Sequence, residues 1–336
     1  MARVLVTGAN GFVGSHLVEH LLSLGHEVTC LVRRTSNLQW IEALPVRFAY
    51  GEARLPESLP PVVKGQEYIF HNAGVTRAWN ARGYIETNAL GTRNMLRACA
   101  AAGDSIRKFV LVSSQAAAGP CRDGRVVTED DTPRPVSHYG RSKLLAEKFA
   151  HRFENRLPVT IVRPSAVYGP RDRDGLDLFK NARRHLATIV GFRRASLLST
   201  HVRDIVEGIA LAGLAEESAG RTYFISYDKP HSWEEITDAI GEVVGKTAIR
   251  LRVHGDTVKL LGRWITALAA TARALGLRPE RSGPPLLTVA RSIELAQRCW
   301  LCSCERAKKE LAFSPKIGLR EGIRLTAEWY RREGWI

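Results

Sequence analysis

A tyrosine and a lysine spaced four residues apart are the side chains of this chain best suited to move a proton. Tyr139 and Lys143 begin a predicted helix that runs to about Asn155. Side chains at positions i and i+4 lie on one face of a helix. A phenol titrates at about pH 10, and a neighbouring ammonium favours the phenolate and lowers that pKa. The pair therefore predicts a general acid/base, although ordinary amphipathic helices carry the same spacing.

A serine at the end of a predicted strand precedes this pair along the chain. The run Lys108-Phe-Val-Leu-Val-Ser113-Ser114 is apolar up to its two final hydroxyls, which predicts a buried strand. Ligands of open parallel sheets bind at the C-terminal edge of the strands. We therefore expect Ser114 to reach the same site as Tyr139 and Lys143.

A glycine-rich turn near the N-terminus predicts a phosphate site. The strand-like run Arg3-Val-Leu-Val-Thr7 leads directly into the turn, and helical periodicity begins right after it. We expect Gly8 to allow the tight turn, Gly11 to let the backbone approach a pyrophosphate, and Gly14 to let the helix pack on the strand. Backbone N–H groups at the helix N-terminus would face the anion. The predicted dinucleotide site at this turn consists of Gly8, Asn10, Gly11, Phe12, Val13 and Gly14.

The end of the second predicted strand, Glu27–Val32, bears on the choice between NAD and NADP. In this type of site an Asp or Glu there accepts the ribose 2′-hydroxyl and repels a 2′-phosphate. This chain has Arg33 and Arg34 instead. Two guanidinium groups without a carboxylate favour NADP over NAD, although they could also be solvated surface arginines.

Small residues follow the next two predicted strands. A third strand over residues 46–49 and a fourth, Tyr68–His71, are each followed by small side chains, which let a cofactor run close to the strand ends. Asn88 lies in a predicted long helix over residues 81–102, where a core-facing Asn usually satisfies a backbone group. The predicted cofactor path at these strand ends includes Glu52, Ala53, Asn72, Ala73 and Gly74.

These segments form part of a longer series of motifs. The series is Thr7-Gly-Ala-Asn-Gly-Phe-Val-Gly14, His71-Asn-Ala-Gly74, Asn88-Ala-Leu-Gly-Thr92, Val112-Ser-Ser114, Tyr139-Gly-Arg-Ser-Lys143, Arg163-Pro-Ser-Ala-Val-Tyr-Gly-Pro170, His201-Val-Arg-Asp204 and a closing stretch from Leu311 to Tyr330. Together these motifs resemble the extended short-chain dehydrogenase/reductase family, which includes NAD-dependent epimerases and dehydratases. The resemblance spans nearly the whole chain.

The resemblance implies a fold and its division. The fold class would be α/β, a Rossmann-type doubly wound parallel sheet with a smaller α+β C-terminal lobe. Residues 1–165 would form the dinucleotide-binding domain, with further core elements near residues 201–226. Residues 166–336 would form mainly the substrate lobe. The family often pairs as a homodimer through helices near residues 84–102 and 139–155.

The resemblance also implies a role for each site residue. Tyr139 would be the general acid/base, and Lys143 would bind the nicotinamide ribose and lower the pKa of Tyr139. Ser114 would hydrogen-bond the reacting oxygen. Asn88 would complete the catalytic set by holding the active-site water and the helix geometry, and would also contact the cofactor. Pro164 would line the cofactor path.

Departures from the family pattern separate its branches. Sugar-nucleotide enzymes commonly carry Asn where this chain has Ala166, and an Arg for the substrate diphosphate where it has Leu197. Arg193 and Arg194 lie nearby in a different register. These departures favour an NADP-dependent reductase of a moderately apolar carbonyl or alcohol, near dihydroflavonol reductases and 3β-hydroxysteroid dehydrogenases. The alternatives are an NAD-dependent sugar-nucleotide epimerase or dehydratase and a non-catalytic NADP-binding sensor.

Composition and charge exclude several other classes. A chain of 336 residues with 45% hydrophobic residues has the composition of a globular protein with a large core. The net charge of +15 is not arranged as a basic stripe interleaved with aromatics, so we expect no nucleic-acid partner. No secretory signal precedes the first strand, so we expect a cytoplasmic protein with six reduced cysteines. Cys299, Cys302 and Cys304 lack a fourth ligand nearby in sequence, so no metal site is predicted.

Residues 255–277 predict a helix with apolar and basic residues interleaved. Leu260, Trp264 and Leu268 are among its apolar residues, and Lys259 and Arg263 are basic. The charges argue against a membrane span. The helix either covers the substrate cleft or lies at a membrane surface, where its basic residues would meet lipid headgroups.

Overall fold

In the computed structural model, which describes residues 1–122, 124–190, 196–277, 283–285 and 287–336, seven parallel strands form the central sheet. The strand order reverses between the first and fourth strands, which opens a crevice at their C-terminal ends. The strands, from one edge to the other, are β3 (Arg47–Tyr50), β2 (Glu27–Val32), β1 (Arg3–Thr7), β4 (Tyr68–His71), β5 (Lys108–Val112), β6 (Val159–Pro164) and β11 (Thr222–Ile225).

Six short strands form three parallel pairs after the sixth strand of the chain. The pairs are β7 (Ala166–Tyr168) with β10 (Ser199–His201), β8 (Leu186–Val190) with β12 (Ile249–Val253), and β9 (Ser196–Leu197) with β13 (Cys299–Trp300). Two of these pairs contribute residues to the wall of the crevice, and the pair of β8 and β12 does not.

Helices cover both faces of the central sheet and build most of the C-terminal lobe. A π-helical turn over Ile85–Leu90 joins α3 to α4, so the predicted helix over residues 81–102 is continuous. The helices are α1 (Phe12–Ser23), α2 (Pro60–Val63), α3 (Ala81–Tyr84), α4 (Gly91–Ala101), α5 (Gln115–Ala118), α6 (His138–His151), α7 (Leu176–Arg183), α8 (Val202–Leu214), α9 (Trp233–Val244), α10 (Gly255–Ala274), α11 (Val289–Leu295), α12 (Glu305–Leu311) and α13 (Leu319–Arg332).

The two-residue period of β1 shows how the core is layered. Val4 and Val6 pack in the cluster that contains α1 and α8, whereas Leu5 packs in the cluster that contains α4 and α6. Because both faces of the sheet are covered, its central strands are apolar on both sides, as parallel sheets require. The predicted Rossmann-type doubly wound sheet is confirmed.

The C-terminal lobe has its own apolar cluster. Phe179 of α7, Ile240 of α9 and Tyr330 of α13 meet there. A capping box begins α9, with Glu235 N–H donating to Ser232 Oγ at 3.2 Å and Ser232 N–H donating to Glu235 at 2.7 Å. The division between residues 165 and 166 stays a prediction. Within the described ranges, each helix is too short or too polar to cross a membrane.

Two of the six cysteines are joined, so the prediction of six reduced thiols is wrong. Cys121 and Cys299 form a disulfide with 5.3 Å between their Cα atoms. The pairing could not be predicted from the sequence because 178 residues separate the two cysteines. Only the packing of β13 against the loop after α5 brings them together. Cys302 and Cys304 are buried free thiols, and burial raises the pKa of Cys304 to about 11.

Candidate active site

The glycine-rich turn joins β1 to α1 at the crevice. Gly8 has a φ of +66°, and a Cβ there would lie 2.9 Å from the Cα of Ala73. A Cβ on Gly14 would lie 2.0 Å from the carbonyl oxygen of Gly8. The turn therefore needs glycine to hold the first helix against the strand. The unpaired N–H groups of the first turn of α1 make a cradle that fits a pyrophosphate.

A cleft of about 1070 Å³ runs from this turn along the C-terminal ends of the strands to the C-terminal lobe. Most of the predicted site residues meet in its wall. Those residues are Gly8, Asn10, Gly11, Phe12, Val13, Arg33, Glu52, Ala53, Asn72, Ala73, Gly74, Ser114, Tyr139, Lys143 and Pro164.

Three predicted residues lie outside the cleft wall. Gly14 lies beneath the turn, as its contact with Gly8 shows. The Arg34 guanidinium lies over the ring of Tyr50, 5.2 Å from its centre, and not in the cleft with Arg33. Asn88 is buried behind the wall. The predicted cofactor contacts of these three residues stay predictions.

Asn88 fastens the segment after β4 to the helix that carries Tyr139. Its Oδ1 accepts a hydrogen bond from Val75 N–H at 2.7 Å, and its Nδ2 donates to Ser142 Oγ at 2.9 Å. The π-helical turn between α3 and α4 brings the side chain into this position. Such a link fits the predicted role in helix geometry.

A buried polar chain that the sequence reasoning missed supports the same segment. Thr7 Oγ1 accepts from Ala73 N–H at 3.0 Å and lies 2.9 Å from His71 Nδ1, while His71 Nε2 lies 3.1 Å from Thr92 Oγ1. Burial, with a contribution from Lys143, lowers the pKa of His71 to about 3. The imidazole is therefore neutral, and it positions the backbone of residues 72–74 through Thr7.

Ser114, Tyr139 and Lys143 come together from two elements. Ser114 follows β5 and caps α5, with Ala116 N–H donating to its Oγ at 3.1 Å. Tyr139 stands in the first turn of α6, and Lys143 follows one turn later, with its Nζ donating to the carbonyl oxygen of Val112 at 2.7 Å. The helix face and the strand end thus meet at one point of the cleft wall.

The net pKa shift of Tyr139 is opposite to the predicted lowering. Burial raises the pKa of Tyr139, and the negative charge of Glu294 adds to that, while a hydrogen bond with Ser114 acts in the other direction. Burial also lowers the pKa of Lys143 to about 8, with Glu147 acting against it. Desolvation thus outweighs the groups that lower the pKa of Tyr139, and the role of Lys143 toward the phenol stays a prediction.

A buried ion pair holds the Lys143 helix against the sheet. Arg163 of β6 donates to both carboxylate oxygens of Glu147, at 2.9 and 2.7 Å, and Ser113 Oγ donates to the same carboxylate. This bidentate geometry is the strong form of an arginine–carboxylate pair. Glu147 stands one helical turn after Lys143, so the pair fixes the part of α6 that carries the lysine.

Helix α11 supplies two charged residues of the cleft that the sequence reasoning did not find. Glu294 accepts a hydrogen bond from Ser137, the residue that caps the N-terminus of α6. Arg291 pairs with Asp174 at 3.3 Å. Burial raises the pKa of Glu294. No motif marks this helix, because only the tertiary fold brings α11 beside α6.

The far end of the cleft has an apolar wall, and charged residues such as Arg171, Asp172 and Asp177 also line it. Leu197 is buried and lines the cleft together with Ala166, whereas Arg193 and Arg194 lie outside the described residues. Further apolar side chains of this part of the wall are Trp233, Ile236 and Ile240 of α9, Leu319 and Ile323 of α13, and Trp300. Within the described part of the chain, no group of three or more His, Cys, Asp or Glu side chains is placed to hold a metal ion.

Two curated relatives cover almost the whole chain. A ceramide reductase of Caulobacter vibrioides is 28% identical over 99% of this chain and 96% of its own length. The human sterol-4-alpha-carboxylate 3-dehydrogenase (decarboxylating) is 26% identical over 98% of this chain and 88% of its own length.

A solved structure and a family profile agree with the fold. MoeE5 in complex with UDP-glucose and NAD superimposes with a TM-score of 0.76 at 27% identity, over 98% of this chain and 99% of that one. The profile of the NAD dependent epimerase/dehydratase family matches residues 4–226, which hold the glycine turn, Ser114, Tyr139 and Lys143. This chain therefore belongs to the NAD-dependent epimerase/dehydratase family, the extended short-chain dehydrogenases/reductases.

Proposed function

We propose that this chain is an NADP-dependent reductase or dehydrogenase, which transfers a hydride between nicotinamide and a carbon of a moderately apolar carbonyl or alcohol substrate. The observation that carries the proposal is Leu197, a buried leucine in the cleft wall where sugar-nucleotide enzymes usually carry an arginine. Ala166 and the apolar side chains of α9 and α13 support the same reading. The names of the ceramide and sterol relatives support it too.

In the proposed mechanism, the site holds the reacting oxygen and moves one proton. Ser114 Oγ would donate a hydrogen bond to the carbonyl oxygen, and Tyr139 Oη would give that oxygen a proton as the hydride reaches the carbon. Lys143 would hold the nicotinamide ribose and offset the charge of the phenolate that remains. Bound NADPH would supply the hydride. In alcohol oxidation the same side chains act in reverse.

The purified protein, mixed with NADPH and a panel of carbonyl compounds, tests this proposal. We expect NADPH to be consumed, and kcat/KM to rise from short water-soluble ketones to long-chain ones because the far end of the cleft has an apolar wall. We expect no epimerisation of UDP-glucose. Tightly bound NAD, with sugar epimerisation and no net NADPH consumption on any carbonyl, would contradict the proposal.

We propose NADP over NAD because Arg33 lines the cleft and no carboxylate follows β2. Replacing Arg33 with Asp should lower the NADPH-to-NADH ratio of kcat/KM by about 10- to 100-fold, the value of a lost hydrogen bond to a charged group. Arg34→Asp is the matched control, because that side chain lies over Tyr50. Equal effects of the two substitutions would contradict the assignment to Arg33.

The sugar-nucleotide alternative has one observation in its favour. Arg173 and Arg291 line the cleft, and a guanidinium could hold a diphosphate in a register other than that of Leu197. Arg291 is already engaged with Asp174, which weakens this alternative. The non-catalytic sensor is the third reading, and turnover of any carbonyl substrate would remove it.

We also propose a cytoplasmic homodimer that pairs through α3, α4 and α6. Ile85, at the start of the π-helical turn, is 39% exposed on this surface and supports the pairing. Light scattering of the wild type and of Ile85→Glu tests it. We expect a dimer for the wild type and a shift toward monomer for the variant, and a monomeric wild type would exclude the homodimer.

A further inference from the structure

Exposed apolar side chains are concentrated in one part of the described surface. Trp264 is 61% exposed, Leu268 is 64% exposed and Ile249 is 72% exposed. All three belong to β12 or to α10, which follows β12 directly along the chain. Exposed apolar side chains that are concentrated in this way often mark an interaction site.

Helix α10 packs on the protein through a different side from the one that carries these residues. Val258 and Gly262 are its buried positions, and a Cβ on Gly262 would lie 2.6 Å from Ser292 Cβ of α11. Leu260, Trp264 and Leu268 follow one another at four-residue intervals and are exposed. This spacing forms a continuous apolar stripe along one helix face. The stripe is therefore exposed on the side of α10 that does not pack on α11.

Strand β12, which precedes α10 along the chain, also carries exposed apolar side chains. Its arginines Arg250 and Arg252 pair with Asp238 and Glu234 of α9 and remain partly exposed. The alternate residues, Ile249 and Leu251, are exposed on the other side of the strand.

Positive charge borders the apolar stripe. Lys259 and Arg263 each stand one residue before a member of the stripe and form a parallel row beside it, in which Arg263 is exposed and Lys259 pairs with Asp256 at 2.9 Å. The chain carries a net charge of +15, so two copies would repel each other at this surface, whereas an anionic bilayer would attract it. An apolar helix face with a basic border and an exposed tryptophan is the pattern of helices that lie in a membrane interface.

We propose that this face is a docking surface for an anionic lipid bilayer. Its members, called here the lipid-docking surface, are Leu260, Leu261, Trp264, Ile265 and Leu268 of α10, bordered by Lys259 and Arg263. Helix α10 packs on α11, which carries Arg291 and Glu294 of the cleft, and its Arg273 lies 5.4 Å from the ring centre of Trp79. The helix that carries the surface thus packs against the helix that supplies two charged residues of the cleft wall.

Flotation of the full chain with lipid vesicles tests the surface without cofactor or substrate. One set of vesicles contains phosphatidylcholine alone, and the other contains phosphatidylglycerol as well. We expect binding to the anionic vesicles at low salt, weaker binding at high salt, and little binding to the neutral ones. A Trp264→Glu, Leu268→Glu double variant should bind at least about tenfold more weakly, because it buries two charges in place of two apolar side chains.

The matched control is Leu24→Glu, which changes an apolar residue of similar exposure at the end of α1. Thermal unfolding and light scattering accompany each variant. Absence of wild-type binding to anionic vesicles, or equal binding by the double variant, would overturn the proposal. So would a wild-type dimer that the double variant converts to monomer, because the surface would then join two copies. None of these results bears on NADPH turnover, which is assayed separately with a water-soluble ketone.

Discussion

The cofactor half and the C-terminal lobe differ in the burial of an ion pair and of apolar side chains. In the cofactor half, the pair between Arg163 and Glu147 is buried behind the strand that precedes Ser114. In the C-terminal lobe, the pair between Arg324 and Glu328 is half-exposed on α13, while Trp264 and Leu268 face solvent. In this comparison the ion pair of the half with the dinucleotide turn is buried, whereas the ion pair and the apolar side chains of the lobe are exposed to solvent.

This difference has an energetic meaning. Removing one partner of a buried pair leaves an uncompensated charge and costs about 3–5 kcal/mol, whereas an exposed pair contributes about 0–1 kcal/mol. We therefore expect substitutions in the buried pair of the cofactor half to cost stability, and substitutions in the exposed pair of the lobe to leave the fold intact.

The largest effect we expect is on turnover by Tyr139→Phe. General acid/base catalysis contributes about 10²- to 10⁴-fold, so kcat should fall by that factor while the affinity for NADPH stays within about twofold. Steady-state kinetics and titration of NADPH binding measure the two quantities. Near-normal kcat would refute the role of the phenol, and a parallel loss of NADPH binding would instead indicate a structural defect.

The comparison of the two halves is tested most directly by two matched substitutions of glutamate. Glu147→Gln should lower the free energy of unfolding by about 3–5 kcal/mol because it leaves Arg163 buried and unpaired. Glu328→Gln, which breaks the exposed pair with Arg324, should lower it by about 1 kcal/mol or less. Urea denaturation gives both values. Similar losses of unfolding free energy for the two variants would show that burial does not determine how much each ion pair contributes to stability.

A smaller effect is expected for His71 at acidic pH. Its pKa of about 3 in the folded protein lies below the unfolded value of about 6.5, so below pH 6.5 the unfolded chain binds a proton that the folded chain does not. Stability should therefore fall with decreasing pH, with His71 contributing about 1.4 kcal/mol per pH unit. In His71→Asn the slope of the unfolding free energy against pH should be shallower by that amount. An unchanged slope would mean that the imidazole is not held neutral.

The smallest effect we expect is a change in the pKa of Tyr139 when the charge of Glu294 is removed. Glu294 raises the pKa of Tyr139 by its negative charge, whereas Arg291 lowers it. Glu294→Gln should therefore move the phenol limb of the pH profile for alcohol oxidation to lower pH, because a like charge is removed. Ser137→Ala, which removes the hydrogen bond to Glu294 but keeps its charge, is the control. A shift to higher pH in the glutamine variant would contradict the electrostatic link.

Local rules account for what the sequence predicted well. The strand, turn and helix of residues 3–23 and the helix predicted over residues 255–277 depend on side-chain periodicity and on glycine positions within a few residues. The meeting of Ser114, Tyr139 and Lys143 at one edge follows from the rule for parallel sheets. These features could be predicted because their causes lie next to one another in the chain.

By itself, then, the sequence determined the first strand, the glycine turn and the spacing of Tyr139 and Lys143, since short-range hydrogen bonding and apolar periodicity decide them, while the doubly wound sheet followed from the resemblance to the family. Only the tertiary structure decided that Cys121 meets Cys299, that Glu294 approaches the catalytic helix, and that burial raises the pKa of Tyr139. The same holds for β12. The sequence alone does not show which alternate residues face solvent, and the ion pair between Arg250 and Asp238 of α9 decides it. Contacts between distant segments and desolvation depend on the whole packed chain, so no local pattern encodes them.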